Sequence, residues 1–265
     1  MRNRPKRTNI SNHYIMLTGQ NSLNVDNAAN KVSVIIVTYN AAATLQACLD
    51  SIYKQTYPYI EIVVIDGKST DGTVAILEAN NSRIGYWKSE PDGGIYDAMN
   101  KATKSITGKW VCFLGADDTL LPGFSNLAYD LKDNSAIYYS NVWAEGAKRS
   151  GELSTYQLAK VGIYHQAMIY PASVFAKHSF DTKYRISADF AFNLNLYSDK
   201  AYHFLYKDHL IANFNHTGIS GTQIDAPFAK DKSGLILKNF GFKIWSRYIF
   251  RVIKAKLKGD KNPRV

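Results

Sequence analysis

This sequence predicts an α/β fold built on a mostly parallel sheet flanked by helices, and three features carry that reading. Short β-branched and apolar runs alternate with segments whose apolar residues recur every three or four positions, the pattern of a doubly wound sheet. The runs end in polar residues, at Thr38-Tyr39-Asn40, at Asp66 and at Asp117-Asp118. In open α/β sheets ligands bind just beyond the carboxyl ends of the strands, so these three ends point to one crevice.

The elements follow in order. Val32 to Tyr39 is a β-branched run that suits an interior strand, and Leu45, Cys48, Leu49 and Ile52 mark the helix after it. Glu61 to Asp66 is the second strand and Thr73 to Ala79 the second helix; Asp71 and Thr73 between them suit a turn and a cap. Ile84 to Trp87 is a third, shorter strand. The turn-forming Glu90-Pro91-Asp92-Gly93-Gly94 then leads into a helix from Ile95 to Ser105. Trp110 to Ala116 is an apolar strand that runs into Asp117 and Asp118. Beyond Gly123 the alternation fades: a helix near Phe124–Leu131, a strand near Ala136–Trp143, an irregular stretch to residue 185, a helix over 186–198, and two short strands at Ala201–Leu205 and Leu210–Phe214. From Phe242 to Lys258 a basic amphipathic helix is expected, with Trp245, Tyr248, Ile249, Val252 and Ile253 on one stripe and Lys243, Arg247, Arg251, Lys254 and Lys258 on another.

Bulk composition narrows the classes of function. The 265 residues are 46% hydrophobic, enough for a self-sufficient core, and the formal charge is +10. That charge sits in the tails: residues 1–31 hold five Lys/Arg against one acid, and residues 230–265 hold eleven against two. The stretch between them is slightly acidic, which argues against nucleic acid as a partner and for a surface contact with something anionic. Only two cysteines are present, Cys48 and Cys112, both in core-like segments, so a reducing compartment and no disulfide framework are expected. No run reaches the roughly 18 apolar residues that span a bilayer. Residues 1–30 read as a loose N-terminal extension, 31–228 as the main α/β domain and 229–265 as a basic amphipathic C-terminal segment.

The chemistry of the crevice follows from its charge. Neither a G-x-G-x-x-G after the first strand nor a G-x-x-x-x-G-K-S/T is present, which removes the main support for dinucleotide and P-loop readings. Strand-end carboxylates repel a diphosphate unless a divalent cation such as Mn²⁺ or Mg²⁺ bridges them. Taken alone, Asp-Asp also suits a turn, and an Asp in the first turn of a helix, such as Asp189, stabilises the helix dipole.

Four phrases carry a resemblance. Val34-Ile35-Ile36-Val37-Thr38-Tyr39-Asn40, Asp66 through Thr73, Glu90 through Lys101, and Phe113 through Asp118 occur in the order and spacing of family 2 glycosyltransferases. The match covers residues 32–123 well and 160–220 more thinly, so residues 31–123 would form the nucleotide-sugar-binding half and 124–228 the acceptor-side half. The resemblance implies a GT-A fold, a Rossmann-like mostly parallel sheet with a C-terminal acceptor-side region. It also implies a nucleotide-sugar donor, UDP-linked, a divalent metal, and inverting transfer to a saccharide acceptor.

Residue by residue, Asp66 resembles the acid that reads the nucleotide base, exposed on the crevice side by its position, with Thr38, Tyr39 and Asn40 beside it. Asp92 resembles the donor-contacting acid before the Gly-turn, with Tyr96 and Asn100 in the same pocket. Asp117 matches the last Asp of the family's D-x-D metal motif and Asp118 follows it, but Gly115 stands where the first Asp is expected. The metal would then rest on Asp117, with Asp118 or His216 as further ligands. Ser187-Ala188-Asp189-Phe190 is similar to the family's acidic pair before an aromatic residue, which makes Asp189 the expected base. His165-Gln166 resembles a phrase that lines the sugar or acceptor pocket. Trp87 and Trp143 are assigned to packing. The phrase Pro91 through Lys101 resembles members acting in lipopolysaccharide, O-antigen and capsule assembly. That implies an acceptor on a lipid diphosphate carrier, an anionic membrane surface as partner, and a cytoplasmic, peripheral location at the inner face of the cell membrane. Two alternatives stand beside this: a nucleotidyltransferase acting on sugar phosphates, and a catalytically silent carbohydrate-binding protein of the same fold.

Overall fold

The computed structural model describes residues 18–20, 30–215 and 224–259. Four strands form its parallel heart: β2 (Val32–Thr38), β3 (Ile60–Asp66), β4 (Tyr86–Ser89) and β5 (Trp110–Gly115). Strand β2 lies between β3 and β5, and six of its seven residues are buried. Burial on both faces is why it reads as a continuous apolar run rather than an alternating one. The register pairs Thr38 with Asp66 and Val37 with Gly115, so the three polar strand ends arrive side by side. Helices α1 (Leu45–Tyr53), α2 (Thr73–Ala79) and α3 (Ile95–Ala102) connect these strands in βα order.

The second half extends the same sheet with mixed direction. Its elements are β6 (Thr119–Leu120), α4 (Gly123–Tyr129), β7 (Ala136–Ala144), β8 (Ala147–Arg149), α5 (Thr155–Val161), β9 (Met168–Pro171), α6 (Ala188–Tyr197) and β10 (His203–Asn213). Short β9 is wedged between β5 and β7, antiparallel to both, while β10 runs parallel to β7 and antiparallel to β6. The two short strands expected over residues 201–214 are one strand with bulges near Tyr206–Ala212. An apolar pattern interrupted by Lys207, Asp208 and His209 hides a strand that bends without ending. Within the expected loose extension, Thr18–Gln20 form β1, paired antiparallel with β4 at the sheet edge. Trp87 is buried as assigned, but Trp143 is 43% exposed.

Helix α7 (Ala226–Leu257) starts well before the expected Phe242, capped by Asp225, and kinks at Gly241, where φ is 76°. Its Phe228, Ile236 and Tyr248 are buried in the common core, and Trp245, Ile249 and Val252 pack against that core. Most of the apolar stripe read from the sequence therefore faces the domain. Ile253 of that stripe is instead exposed, together with Phe242, Phe250 and Leu257. None of the described helices is long and apolar enough to cross a membrane. Cys48 and Cys112 are both buried and unpaired with each other.

Candidate active site

The first strand ends are fixed by two loops stitched to each other. Asn40, in a left-handed conformation at φ 50°, accepts from the Thr70 amide and donates its own amide to Ser69 Oγ. Asp71 accepts from the amides of Ala42 and Thr73, the structural role expected of it. Asn40 is thus occupied in holding the loop, and Tyr39 next to it is 66% exposed. Thr38 is buried, and its hydroxyl makes no hydrogen bond among the described residues.

Asp66 differs from the exposed carboxylate that its strand-tip position predicts. It is fully buried, and it accepts from the Ser69 amide, the Ser69 hydroxyl and, at 2.6 Å, the Ser89 hydroxyl. The turn Gly67-Lys68-Ser69 folds back over it, which a strand-end position alone does not reveal. Gly67 also explains how Asp92 reaches the same place, since a Cβ there would lie 2.7 Å from Asp92 Oδ2 and 3.4 Å from the Tyr39 ring. Asp92 in turn accepts from the Gly94 amide at 2.8 Å, holding the Gly-turn. Arg185, absent from the sequence reading, approaches this turn with Nη2 3.5 Å from the Gly93 carbonyl. Its one signal in the sequence is a cation four residues ahead of Asp189.

At the end of β5 the two acids part company. Asp118 is buried, accepting from Gln166 Nε2 at 2.7 Å, the Asn215 amide at 2.8 Å and the Gly115 amide at 3.2 Å. Burial raises its pKa above the usual carboxylate value, although the bonds from Asn215 and Gln166 oppose the shift. Asp117 is half-buried at the strand tip. A Cβ on Gly115 would lie 2.6 Å from Asp118 Oδ2 and 2.9 Å from Asp117 Oδ1, so a side chain here would require the two carboxylates to move. No cluster of three or more metal-ligating side chains occurs among the described residues. His216 lies outside them.

Gln166 carries the network onward. It is buried, its Oε1 makes no hydrogen bond among the described residues, and its neighbour His165 places Nδ1 3.2 Å from Asp189 Oδ2. Because an ionised carboxylate only accepts, Nδ1 must be the protonated nitrogen. The His165 pKa is raised: burial works against the charged ring, but the Asp189 hydrogen bond and the charges of Asp189, Asp118 and Asp117 outweigh it. Asp189 Oδ1 accepts from the Tyr96 hydroxyl at 2.9 Å and from the Phe190 amide. Tyr96 is buried, and its one hydroxyl proton is shared between Asp189 and the Ile186 carbonyl, so it braces Asp189 from across the crevice instead of lining the donor pocket beside Asp92. Asn100 is likewise taken up, exchanging two 2.9 Å bonds with the backbone of Phe180. The result is one continuous chain, Asp117-Asp118, Gln166-His165, Asp189 and Tyr96, linking the end of β5 to the first turn of α6.

Residues 33–202 match the sequence model of glycosyl transferase family 2. The chain belongs to that family. A PGL/p-HBAD biosynthesis glycosyltransferase of Mycobacterium bovis is 35% identical over 215 residues, covering 77% of this chain and 84% of the relative. The Escherichia coli UDP-Glc:alpha-D-GlcNAc-diphosphoundecaprenol beta-1,3-glucosyltransferase WfgD is 35% identical over 113 residues, 42% of this chain and 45% of its own. Among solved structures, S. aureus TarS residues 1–349 superpose with a TM-score of 0.61 at 20% identity, over 79% of this chain and 66% of that one. A mannosyltransferase from Pyrobaculum calidifontis in complex with GDP-Man and Mn²⁺ superposes at 0.57, also at 20% identity, over 79% and 63%. The architecture is the GT-A fold, and the chain is a glycosyltransferase.

Proposed function

We propose that this glycosyltransferase moves a sugar, with inversion, from a UDP-linked donor to a saccharide acceptor on a lipid diphosphate carrier, in surface polysaccharide or glycolipid assembly. The observation that carries the reading is the Asp189 carboxylate, only 18% exposed and held by Tyr96 and His165, joined through Gln166 to the acids at the end of β5. Asp189 Oδ2 spends one lone pair on His165 and keeps another for an acceptor hydroxyl. The acceptor oxygen attacks the anomeric carbon as its proton passes to Asp189; the bond from that carbon to the donor phosphate breaks on the opposite face, and the nucleoside diphosphate departs. Tyr96 and His165 fix the direction of the carboxylate, so less reorganisation is needed at the moment of transfer.

The donor side is assigned to Thr38, Tyr39 and Asp92. The lone Thr38 hydroxyl and the exposed Tyr39 ring offer a polar contact and a stacking face, and Asp92 stands across Gly67 from them. Asp117 would hold a Mn²⁺ or Mg²⁺ ion, because such ions are commonly held by one or two carboxylates plus substrate phosphates. Bound there, the ion would neutralise charge on the departing diphosphate. Asp118 is committed to Gln166 and Asn215 and serves as a support for that site. WfgD, by its name, uses UDP-Glc and a diphosphoundecaprenol-linked acceptor, which favours the same donor and acceptor classes here and a cytoplasmic, membrane-peripheral setting.

The test is a panel of UDP-sugars titrated into the protein with and without Mn²⁺, followed by transfer assays with Asp189→Asn. Metal-dependent binding of one UDP-sugar is expected, with donor affinity kept in the variant and turnover down by about 10²- to 10⁴-fold. Full transfer by Asp189→Asn would remove the proposed base.

A further inference from the structure

We propose that the outer edge of α7 beyond its kink is a docking surface for an anionic lipid bilayer. After Gly241 the helix has three distinct faces. Trp245, Tyr248, Ile249 and Val252 pack on the domain. Phe242, Phe250, Ile253 and Leu257 are 70%, 70%, 51% and 84% exposed. At 3.6 residues per turn these four fall within about 80° of arc, and Lys243, Arg247, Arg251, Lys254 and Lys258 fall within the next ~80°. All five cations are exposed. Residues 242–259 contain six Lys/Arg and no acid.

Charge and apolar surface together select the occupant. A second copy docked on the same face would bring like-charged stripes together without a compensating acid in residues 242–259. A phosphodiester backbone would satisfy the cations and leave Phe242, Phe250 and Leu257 in water. An anionic bilayer satisfies both, with headgroup phosphates against the basic arc and the interface against the apolar one. The neighbouring helix adds to the positive field: Lys160 near the end of α5 has its pKa lowered by burial and by the charge of Arg251.

The surface is also connected to the site. Lys232 of α7 lies 4.8 Å over the ring of Phe190, the residue after Asp189, and 5.5 Å from the ring of Tyr248. The helix that meets the bilayer is therefore packed against the helix that carries the base, which suits an acceptor presented at a membrane face. This last point rests on the sugar-transfer reading; the docking itself does not.

The experiment uses the full chain with vesicles of phosphatidylcholine alone, or with about a third of it replaced by phosphatidylglycerol, in flotation assays at two salt concentrations. Binding to the anionic vesicles is expected to be at least about 10-fold tighter than to neutral ones and to weaken with salt. Phe242→Ser/Phe250→Ser/Leu257→Ser and Arg251→Gln/Lys254→Gln/Lys258→Gln should each weaken it by about 10-fold or more, with Tm and UDP-sugar binding unchanged. Equal binding to both vesicle types, or unchanged binding by the apolar triple variant, would overturn the proposal. So would a lipid-free dimer in sedimentation that the apolar substitutions dissolve. Vesicle binding by a protein that takes no UDP-sugar would overturn the transfer reading and leave this surface standing.

Discussion

Asp117 and Asp118 are adjacent in sequence and differ in what they touch. Asp118 is enclosed by Gln166, Asn215 and Gly115, and Asp117 stands half-buried at the strand tip. Asp117→Ala is expected to abolish the Mn²⁺ dependence of donor binding and, because Asp117 is half-buried where Asp118 is buried, to cost less stability than loss of Asp118. Asp118→Ala leaves buried donors without a partner and should cost about 2–4 kcal/mol, measured by urea unfolding. Equal effects of the two on stability would show that this division of labour is wrong. His165 makes a pH-dependent contribution. Its pKa is raised in the folded chain, so the stabilisation from its protonated form is complete below the ordinary imidazole value and is lost as pH rises through the raised one. The stability gap between the parent and His165→Gln, followed by chemical unfolding from pH 5.5 to 9, should therefore narrow as pH rises.

At the scale of elements, α7 is held down by aromatic packing and carries one misplaced charge. Burial, reinforced by the charge of Lys160, pulls the Lys232 pKa from 10.5 to about 8. A depressed folded pKa means that stability is present above the ordinary lysine value and is lost as pH falls through about 8. At pH 7 the charged form is thus a net cost, offset in part by its 2.8 Å bond to the Lys160 carbonyl and its place over two aromatic rings. Lys232→Met should stabilise the chain by about 1–3 kcal/mol at pH 7, with the gain shrinking toward pH 10. A loss of stability at pH 7 would mean that the ammonium is needed where it lies.

For the whole molecule, α7 belongs to the catalytic body as much as to any surface it presents. Truncation after Gly241 would bare the core residues that Trp245, Tyr248, Ile249 and Val252 cover. Such a chain should lose roughly 3 kcal/mol or more, seen as a lower Tm, whether or not lipid is present. Surface substitutions on the exposed arc are the way to separate membrane contact from folding.

What the sequence determined by itself is local and periodic. The strands β2, β3 and β5, their helices and their polar ends follow from side-chain pattern, and four ordered phrases sufficed to name the family. The expectations for Asp92, Asp117, His165 and Asp189 came from motif residues at fixed offsets from those elements. The tertiary structure decided which groups are already spent. Asp66 is folded under Ser69 and Ser89, Asn40 and Asn100 hold backbone, and Tyr96 turns from the donor side to brace Asp189. It also decided which stripe of α7 faces water, since Tyr248 is covered and Phe250 is exposed. Each of these outcomes depends on a partner that lies a turn or a domain half away, and sequence periodicity holds no information about distance across the fold.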